Sequence, residues 1–433
     1  MYTESGIRLL DATYDSSLDD EETTTFTPLH PTRIRSVTSH FLQREHKLLH
    51  QRNNRGSNVK FRPYKPSHLS SESNQSPHPL FTPCSSESLV LEHPPQTTIH
   101  SKYTPQTLLH TLRGHENSVY SIQWNVRFPH LLLSASMDRT VRVWSIPALN
   151  QRTQDTGFLS RVHTGGVRVA KWTLSGTHYV SGGYDKQLVY VDVNAESVVT
   201  CISSTQPIRS IAIHPENQNI ILTGQANQIV AYDLRSKATH APSTFRKNFE
   251  QVHDLLFLPP VPNAAFGGYD LRFVSSASTK GRNVSNETLL VWDFRSSAVL
   301  YDRLESDGFE FPSLRAHPSN TFFVAQSSLH QAILFSCKAP YKRFKHKTFG
   351  KRQSCHLVEG YSLHSSFHPD GNFYASGDAL GRIFYYNARS GAFVCKTRVG
   401  SNCACLCVEY HPSQKKPSLL AAATYNGSIH LFQ

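Results

Sequence analysis

The sequence predicts an all-β fold, a seven-bladed β-propeller that follows a disordered N-terminal region. Seven short segments with loosely alternating apolar residues recur between residues 118 and 410, and such alternation is typical of strands. Four of these segments are followed by a His-Pro pair, and the pairs lie 103, 51 and 43 residues apart. The longest interval spans two units, so the repeat is about 40–50 residues long, which is the length of a propeller blade. A single blade cannot bury both of its faces without its neighbours.

Residues 1–105 form the predicted disordered region, which has an acidic start and a basic continuation. Residues 1–32 carry seven acidic residues and one arginine, whereas residues 33–65 carry nine basic residues and one glutamate. The stretch 66–88 is rich in serine and proline, so it cannot bury enough surface to offset the entropy lost on ordering. In residues 38–52, apolar and charged side chains recur at the spacing of a helix, which predicts a short amphipathic helix that binds a partner. The alternative is a solvated basic stretch, because isolated helices of this length are marginal in water.

The net charge of +12 belongs to residues 106–433, because residues 1–105 contain eleven basic and eleven acidic residues. A basic surplus of this kind favours an acidic partner, either a nucleic acid or a negatively charged protein surface. No apolar run approaches the roughly 18 residues of a membrane helix, and the acidic start lacks the features of a secretory signal. We therefore expect a protein without a membrane partner, in the nucleus or also in the cytoplasm, with its eight cysteines reduced.

Residues 106–433 form the predicted propeller. Each unit contains an inner strand, a second strand that ends in small residues, a turn and a third strand, and a linking strand completes the blade. Dividing this length by seven yields about 47 residues per blade, slightly above the usual 40–45. The inner strands are predicted at 118–124, 166–172, 207–213, 252–258, 310–316, 361–367 and 404–410.

The first unit carries the residues of a WD40 repeat. Its Gly114-His115 pair precedes the inner strand, and Trp144-Ser145 stands where the family has Trp-Asp. The unit resembles the WD40 family, which implies a structural hydrogen-bond chain through His115, Ser134, Asp138 and Trp144. The resemblance also implies that 107–112 closes the ring beside 428–433. The second unit keeps His163, Ser181 and Asp185 but has Val191 in the tryptophan position, and the fourth keeps Trp292-Asp293 with Asn286 in the acidic position. The sixth and seventh units have Leu380 and Asn426 in the acidic position, with Tyr386 and Phe432 in place of tryptophan.

A narrower likeness concerns residues 356–387, which follow a basic run and precede a cysteine-rich strand with a last His-Pro pair. This order, together with the start of the first unit, resembles the processing-factor-seventeen family of second-step pre-mRNA splicing factors and a sister branch of that family. The resemblance implies a non-enzymatic scaffold for protein partners in a nuclear multi-subunit ribonucleoprotein assembly related to the spliceosome.

The usual catalytic motifs are absent from the sequence, so no enzyme, no cofactor and no small-molecule substrate are predicted. No phosphate-binding loop, zinc-protease motif or nucleophile elbow occurs. Cys403, Cys405 and Cys407 would share one face of a strand, where a metal-thiolate cluster is conceivable. Packing as small buried side chains is the favoured interpretation, so no metal is predicted.

The segment 338–353 is the candidate for RNA binding, and we expect it to be a loop between the fifth and sixth blades. Cations neutralise phosphates and aromatic rings stack on unpaired bases, a combination found in proteins that bind single-stranded RNA. The alternatives are a solvated surface loop and a nuclear import signal. The candidate RNA-binding residues are Lys342, Arg343, Phe344, Lys345, Lys347, Lys351 and Arg352.

An alternative function is suggested by the ends of three units, Tyr-Asp-Leu-Arg at 232–235, Trp-Asp-Phe-Arg at 292–295 and Tyr-Asn-Ala-Arg at 386–389. This arrangement resembles the WD40 substrate receptors of cullin-RING ubiquitin ligases, in which such an arginine meets an adaptor. The resemblance implies that Arg235 and Arg295 are adaptor-binding residues.

Overall fold

A computed structural model describes the chain from residue 103 to residue 433 with several gaps. The described stretches are 103–146, 157–235, 243–247, 249–263, 268–279, 288–302, 310–350, 356–400, 403–413 and 418–433. The predicted disordered region up to residue 102 lies outside the described residues, and so do Asn286, Lys351, Arg352 and the side chain of Lys345. Within the described stretches, no helix is long and apolar enough to cross a membrane.

Seven antiparallel sheets of four strands form the blades, so the seven-bladed propeller predicted from the repeats is confirmed. In blades one to six the strands follow one another in sequence from the inner strand outward, apart from one hairpin inserted in blade four. The first strands of the chain, up to the end of blade three, are β1 (Leu108–Leu112), β2 (Val119–Trp124), β3 (Leu131–Ser136), β4 (Val141–Ser145), β5 (Gly157–Ser160), β6 (Val167–Trp172), β7 (His178–Gly183), β8 (Gln187–Asp192), β9 (Ser197–Ser203), β10 (Ser210–Ile213), β11 (Ile220–Gly224), β12 (Ile229–Asp233) and β13 (Ser243–Phe245).

Blade four consists of β14, β17, β18 and β19, while β15 and β16 form the inserted hairpin. Blade seven takes β28, β29 and β30 from the end of the chain and β1 from its beginning. The remaining strands are β14 (Phe249–Phe257), β15 (Val261–Asn263), β16 (Gly268–Asp270), β17 (Arg272–Thr279), β18 (Leu289–Asp293), β19 (Val299–Tyr301), β20 (Ser313–Ala316), β21 (Phe322–Gln326), β22 (Ala332–Ser336), β23 (Arg343–Phe349), β24 (Ser365–Phe367), β25 (Phe373–Gly377), β26 (Arg382–Asn387), β27 (Phe393–Arg398), β28 (Cys405–Tyr410), β29 (Leu420–Thr424) and β30 (Ile429–Phe432).

The hydrophobic core lies between neighbouring blades. Leu133 and Val143 of blade one share one buried cluster with Trp172 and Val189 of blade two. Blades four and five, and then six and seven, contribute jointly to further clusters. Each blade therefore depends on its neighbours for the burial of its apolar faces, as in other repeat architectures.

The ring is closed by strands that are far apart in the chain. β1 pairs with β30 as the outer strand of blade seven, with Leu112 opposite Ile429. The hydroxyl of Thr111 lies 3.0 Å from Nδ1 of His430, which adds a side-chain link between the two strands. The predicted closure is confirmed, and it covers an edge that an open ring would expose.

The four His-Pro turns connect blades three, five, six and seven to the blade that follows each of them. His214 packs its ring against two phenylalanines of blade four, at centroid distances of 5.7 and 5.5 Å. The other three histidines make polar contacts of 2.8–3.0 Å through Nε2, namely His317 with the carbonyl oxygen of Gly371, His368 with Oγ of Ser418, and His411 with the carbonyl oxygen of Pro129. The dipeptide is therefore an interblade connection as well as a turn.

The basic segment is not a loop between blades five and six, and this prediction was wrong. The middle of the segment forms β23, the outer strand of blade five, which pairs with β22. Aromatic side chains anchor its ends: Tyr341 accepts a hydrogen bond of 2.7 Å from Arg272, and Phe349 stacks on Tyr374 at 4.5 Å. Between these anchors, residues 344–347 bulge out opposite Leu334. Outer strands tolerate such a concentration of lysine because their faces and free edge meet water.

Candidate functional site

Blade one contains a continuous hydrogen-bond chain through the four residues of the WD40 motif. The indole N–H of Trp144 donates to Oγ of Ser134 at 2.8 Å, and Ser134 lies 2.7 Å from Nε2 of His115. Nδ1 of His115 lies 2.8 Å from Oδ2 of Asp138. Thr140 also donates to Asp138, at 2.6 Å from its hydroxyl and 2.9 Å from its backbone N–H. A neutral histidine that donates from Nδ1 and accepts at Nε2 satisfies every member of this chain.

The electrostatics of the chain favour an ionised aspartate beside a neutral histidine. Burial alone would raise the pKa of Asp138, but the hydrogen bonds from His115 and Thr140 outweigh burial and lower it. Burial lowers the pKa of His115, and the attraction of Asp138 opposes this only in part. The chain ties the segment before β2 to the turn between β3 and β4, so its role is to fix blade geometry.

The other blades keep parts of this chain or replace it. In blade two, His163 contacts Asp185 and Ser181, each at 2.8 Å, although Val191 stands in the tryptophan position. In blade four, Trp292 donates to Ser275 at 2.8 Å. Blade six uses a buried histidine that sequence reasoning missed: His356 donates from Nε2 to Gln326 of blade five at 2.9 Å and accepts from Tyr386 at 3.0 Å.

The basic aromatic patch, which we define as Lys342, Phe344 and Lys347, comprises the exposed members of the RNA-binding candidate among the side chains that the structure describes. Phe344 is 38% exposed, and its ring meets Phe322 edge-on at a centroid distance of 6.2 Å. Arg343 is only partly exposed. The structure therefore places one accessible aromatic ring on β23 with an exposed lysine on either side of it.

The two adaptor-binding candidates lie in turns at the outer ends of third strands. Arg235 is exposed and forms a two-pronged contact with Asp233, with distances of 3.1 Å from Nε and 2.8 Å from Nη2. Arg295 is also exposed, in the turn after β18 where Asp293 accepts a hydrogen bond from the backbone of Ser296 at 2.9 Å. The contact with Asp233 holds the guanidinium of Arg235 close to its own turn.

The cysteine-rich strand is part of the core of blade seven. Cys405 and Cys407 are buried, and Cys403 precedes β28. Across the described stretches, no group of three or more histidine, cysteine or acidic side chains has a geometry that could hold a metal ion.

Comparison with known proteins agrees with this architecture. The family model described as "WD domain, G-beta repeat" matches residues 106–145, the closing strand and most of blade one. The chain is 31% identical to WD repeat-containing protein 25 of Mus musculus over 347 residues, which are 78% of this chain and 60% of that protein. It therefore spans less than two thirds of the length of that relative.

A second group of relatives is more distant. Pre-mRNA-processing factor 17 of Saccharomyces cerevisiae is 22% identical over 76% of this chain and 67% of its own length. The human protein of the same name is 22% identical over 76% of this chain and 52% of its own length. The blade architecture, the ring closure and the matched repeat together identify the chain as a WD40-repeat β-propeller, similar over most of its length to WD repeat-containing protein 25.

Proposed function

We propose that this chain is a non-enzymatic scaffold that mediates protein–protein interactions in a nuclear ribonucleoprotein assembly related to pre-mRNA splicing. The observation that carries the proposal is the similarity to Pre-mRNA-processing factor 17, which extends over 76% of the chain and thus over most of the propeller. The name of that relative assigns it to pre-mRNA processing. A rigid closed ring that lacks the usual catalytic motifs suits a role in assembly.

The surface of the ring offers apolar contacts for large partners. Exposed large apolar side chains lie on the outer strands of five blades, and these are Leu108, Val199, Leu300, Phe344 and Phe393. Val126 and Leu174 add a neighbouring pair in the turns of blades one and two, where Arg127 donates to the carbonyl oxygen of Leu174 at 2.9 Å. Aromatic and aliphatic side chains of this kind serve as anchors when a partner excludes water around them.

Purification of the tagged full chain from nuclear extract tests the proposal. We expect proteins of the splicing machinery to be enriched over a purification with the tag alone. Recovery of a cullin adaptor that is lost in the Arg295→Ala variant would instead support the substrate-receptor hypothesis. A preparation that contains neither group would contradict the scaffold proposal as stated.

Direct contact with RNA is a second candidate, favoured by the exposed ring of Phe344 between Lys342 and Lys347. Removing one lysine–phosphate interaction should reduce the logarithmic salt slope by about 0.7, so Lys342→Ala with Lys347→Ala should reduce it by about 1.4. Phe344→Ala should cost a further 1–3 kcal/mol or so if the ring stacks on a base.

The matched control for the RNA experiment lies on β27, the outer strand of blade six. This strand also carries an exposed phenylalanine and two exposed cations, so Phe393→Ala with Lys396→Ala and Arg398→Ala removes one ring and two positive charges elsewhere. Fluorescence anisotropy with a single-stranded RNA at low salt measures both effects. An equally large decrease in affinity in the patch and control variants would show that the binding is not specific to β23.

A further inference from the structure

The seven inner strands surround a central channel with a volume of about 310 Å³. Water occupies about 30 Å³ per molecule in the liquid, so the channel has room for about ten waters or a small solute. Polar and charged side chains from all seven blades line it, whereas the cores between the blades are apolar.

Basic side chains line the channel at two levels. Arg168 on β6 and Arg209 just before β10 lie near the beginnings of their strands. Lys171 and Arg315 are the penultimate residues of β6 and β20, which places them about 10 Å further along the axis, since a strand rises about 3.3 Å per residue. The two levels therefore present a column of positive charge to anything in the channel.

A β-bulge accounts for the orientation of Arg168. The pairing of β6 with β7 shifts between Val167 and Val169, so Arg168 is the extra residue of the bulge. Bulges re-aim side chains relative to the regular alternation of a strand. The guanidinium stacks over the ring of Tyr120 of the preceding blade, at 4.3 Å from its centroid, and Arg168 lines the channel.

The acidic residues of the channel are already engaged. Glu409 forms an ion pair with Arg315. Asp254 accepts hydrogen bonds from the backbone N–H of Leu255 at 2.9 Å and of Leu314 at 2.8 Å, and burial raises its pKa. The charge of Asp254 attracts Lys171, but neither acid lies within ion-pair distance of Arg168, Lys171 or Arg209.

Three cations remain without an anionic partner among the described residues: Arg168, Lys171 and Arg209 have no carboxylate within ion-pair distance. Arg168 is only 8% exposed, and its Nη1 has no hydrogen-bond partner in the described part of the protein. Arg168, Lys171 and Arg209 line the same channel, and the charges of Arg168 and Lys171 add to burial in lowering the pKa of His364, which lines it from blade six. Buried charges without partners are costly, and a bound anion would remove that cost.

We propose that the central channel is a binding site for a small polyphosphate anion, held by Arg168, Lys171 and Arg209. A ligand with several linked negative charges can reach both levels of the column, which a single carboxylate cannot do. Guanidinium groups match the geometry of phosphate oxygens through paired N–H donors. The enclosing strands admit a small molecule and exclude a folded partner.

Sodium tripolyphosphate is the probe, and it is titrated into the full chain at low salt. We expect a melting temperature that rises with ligand concentration and a saturable heat in calorimetry. Arg168→Met with Lys171→Met keeps the apolar stems and removes two charges, so binding should weaken by about tenfold or more. Without ligand, this variant should melt no lower than the wild type, because it relieves repulsion between like charges.

The control is Lys342→Met with Lys347→Met, which removes the same charge from the basic aromatic patch on the outer surface. This variant should bind tripolyphosphate like the wild type. If the channel variant does not fold, Arg209→Gln alone provides the same comparison. The absence of any effect of tripolyphosphate on the wild type, or equally weakened binding in the control variant, would overturn the proposal. Equally tight binding of a polyglutamate peptide would show that the site recognises carboxylates and that the assigned ligand class is wrong.

Discussion

Replacing Trp144 separates the two contributions of this side chain to blade one, its hydrogen bond and its packing. The indole is 3% exposed, and it shares a buried cluster with Ile122, Leu132 and residues of blade seven. Trp144→Phe keeps an aromatic ring but removes the N–H that donates to Ser134 at 2.8 Å. Trp144→Ala removes both the donor and the ring.

The structure sets the size of each effect. Loss of the hydrogen bond to the buried Ser134 should cost about 1–2 kcal/mol in the free energy of unfolding. Loss of the whole side chain should cost about 3–5 kcal/mol, because the surrounding strands cannot collapse into the space that it leaves. Part of that larger cost is the interaction with the guanidinium of Arg142, which lies 5.6 Å from the ring centroid.

Urea unfolding of the full chain, followed by circular dichroism at pH 7, measures both variants without relying on tryptophan fluorescence. Trp292→Phe in blade four is the matched control, because this indole is 1% exposed and also donates to a serine at 2.8 Å. In blade one, Ser134 passes the hydrogen bond on to His115 and Asp138, so Trp144→Phe should cost at least as much as the control. Unchanged stability in Trp144→Phe, or equal costs for the two replacements of Trp144, would refute this reasoning.

Three further predictions concern the ring as a whole. Burial lowers the pKa of three histidines from 6.5 to about 3 or 4, namely His253, His356 and His411. Below about pH 6.5 these histidines therefore bind protons in the unfolded chain but stay neutral in the folded chain. Stability should therefore fall as the pH drops from 7 to 5, by up to about 1.4 kcal/mol per pH unit for each histidine, and His411→Gln should make the urea-midpoint slope shallower. A midpoint that is constant over this range would contradict the assignment. Deletion of residues 1–112 removes β1 and leaves the edge of β30 without a partner strand. This deletion should lower the melting temperature and promote self-association in size-exclusion chromatography, whereas deletion of residues 1–102 should do neither. Gly377→Ala would place Cβ 2.2 Å from the carbonyl oxygen of Cys405, so this variant should unfold at clearly lower urea, and a wild-type midpoint would mean that the contact can relax.

The propeller could be predicted because its signals are local. Alternation within each inner strand, the following His-Pro turn and the length of the repeat can all be read within one unit, and the structure confirms the seven blades and the closing strand. The four motif residues of blade one also come together as the family resemblance implied.

The features that sequence reasoning missed depend on neighbouring blades. The basic segment was assigned to a loop because its charge hid the anchors Tyr341 and Phe349, whose partners lie in blades four and six. The acceptor of His356 is a glutamine of blade five, so no pattern within one unit indicates it. Arg168 lines the channel through a bulge in β6, and Arg315 comes from blade five, so no pattern within one unit indicates the cluster of cations.

The pairing of β1 with β30 also bears on how the protein is made. Thr111 and His430 are 319 residues apart, and a ribosome adds about 5–20 residues per second, so β1 emerges about 15–60 s before its partner is synthesised. During that interval, the strand that completes the last blade exists without the sheet to which it belongs. Blades one to six can assemble in order as they are synthesised, but the ring of blades closes only after β30 has left the ribosome. Translation speed therefore sets how long the nascent chain must keep β1 from pairing with another molecule.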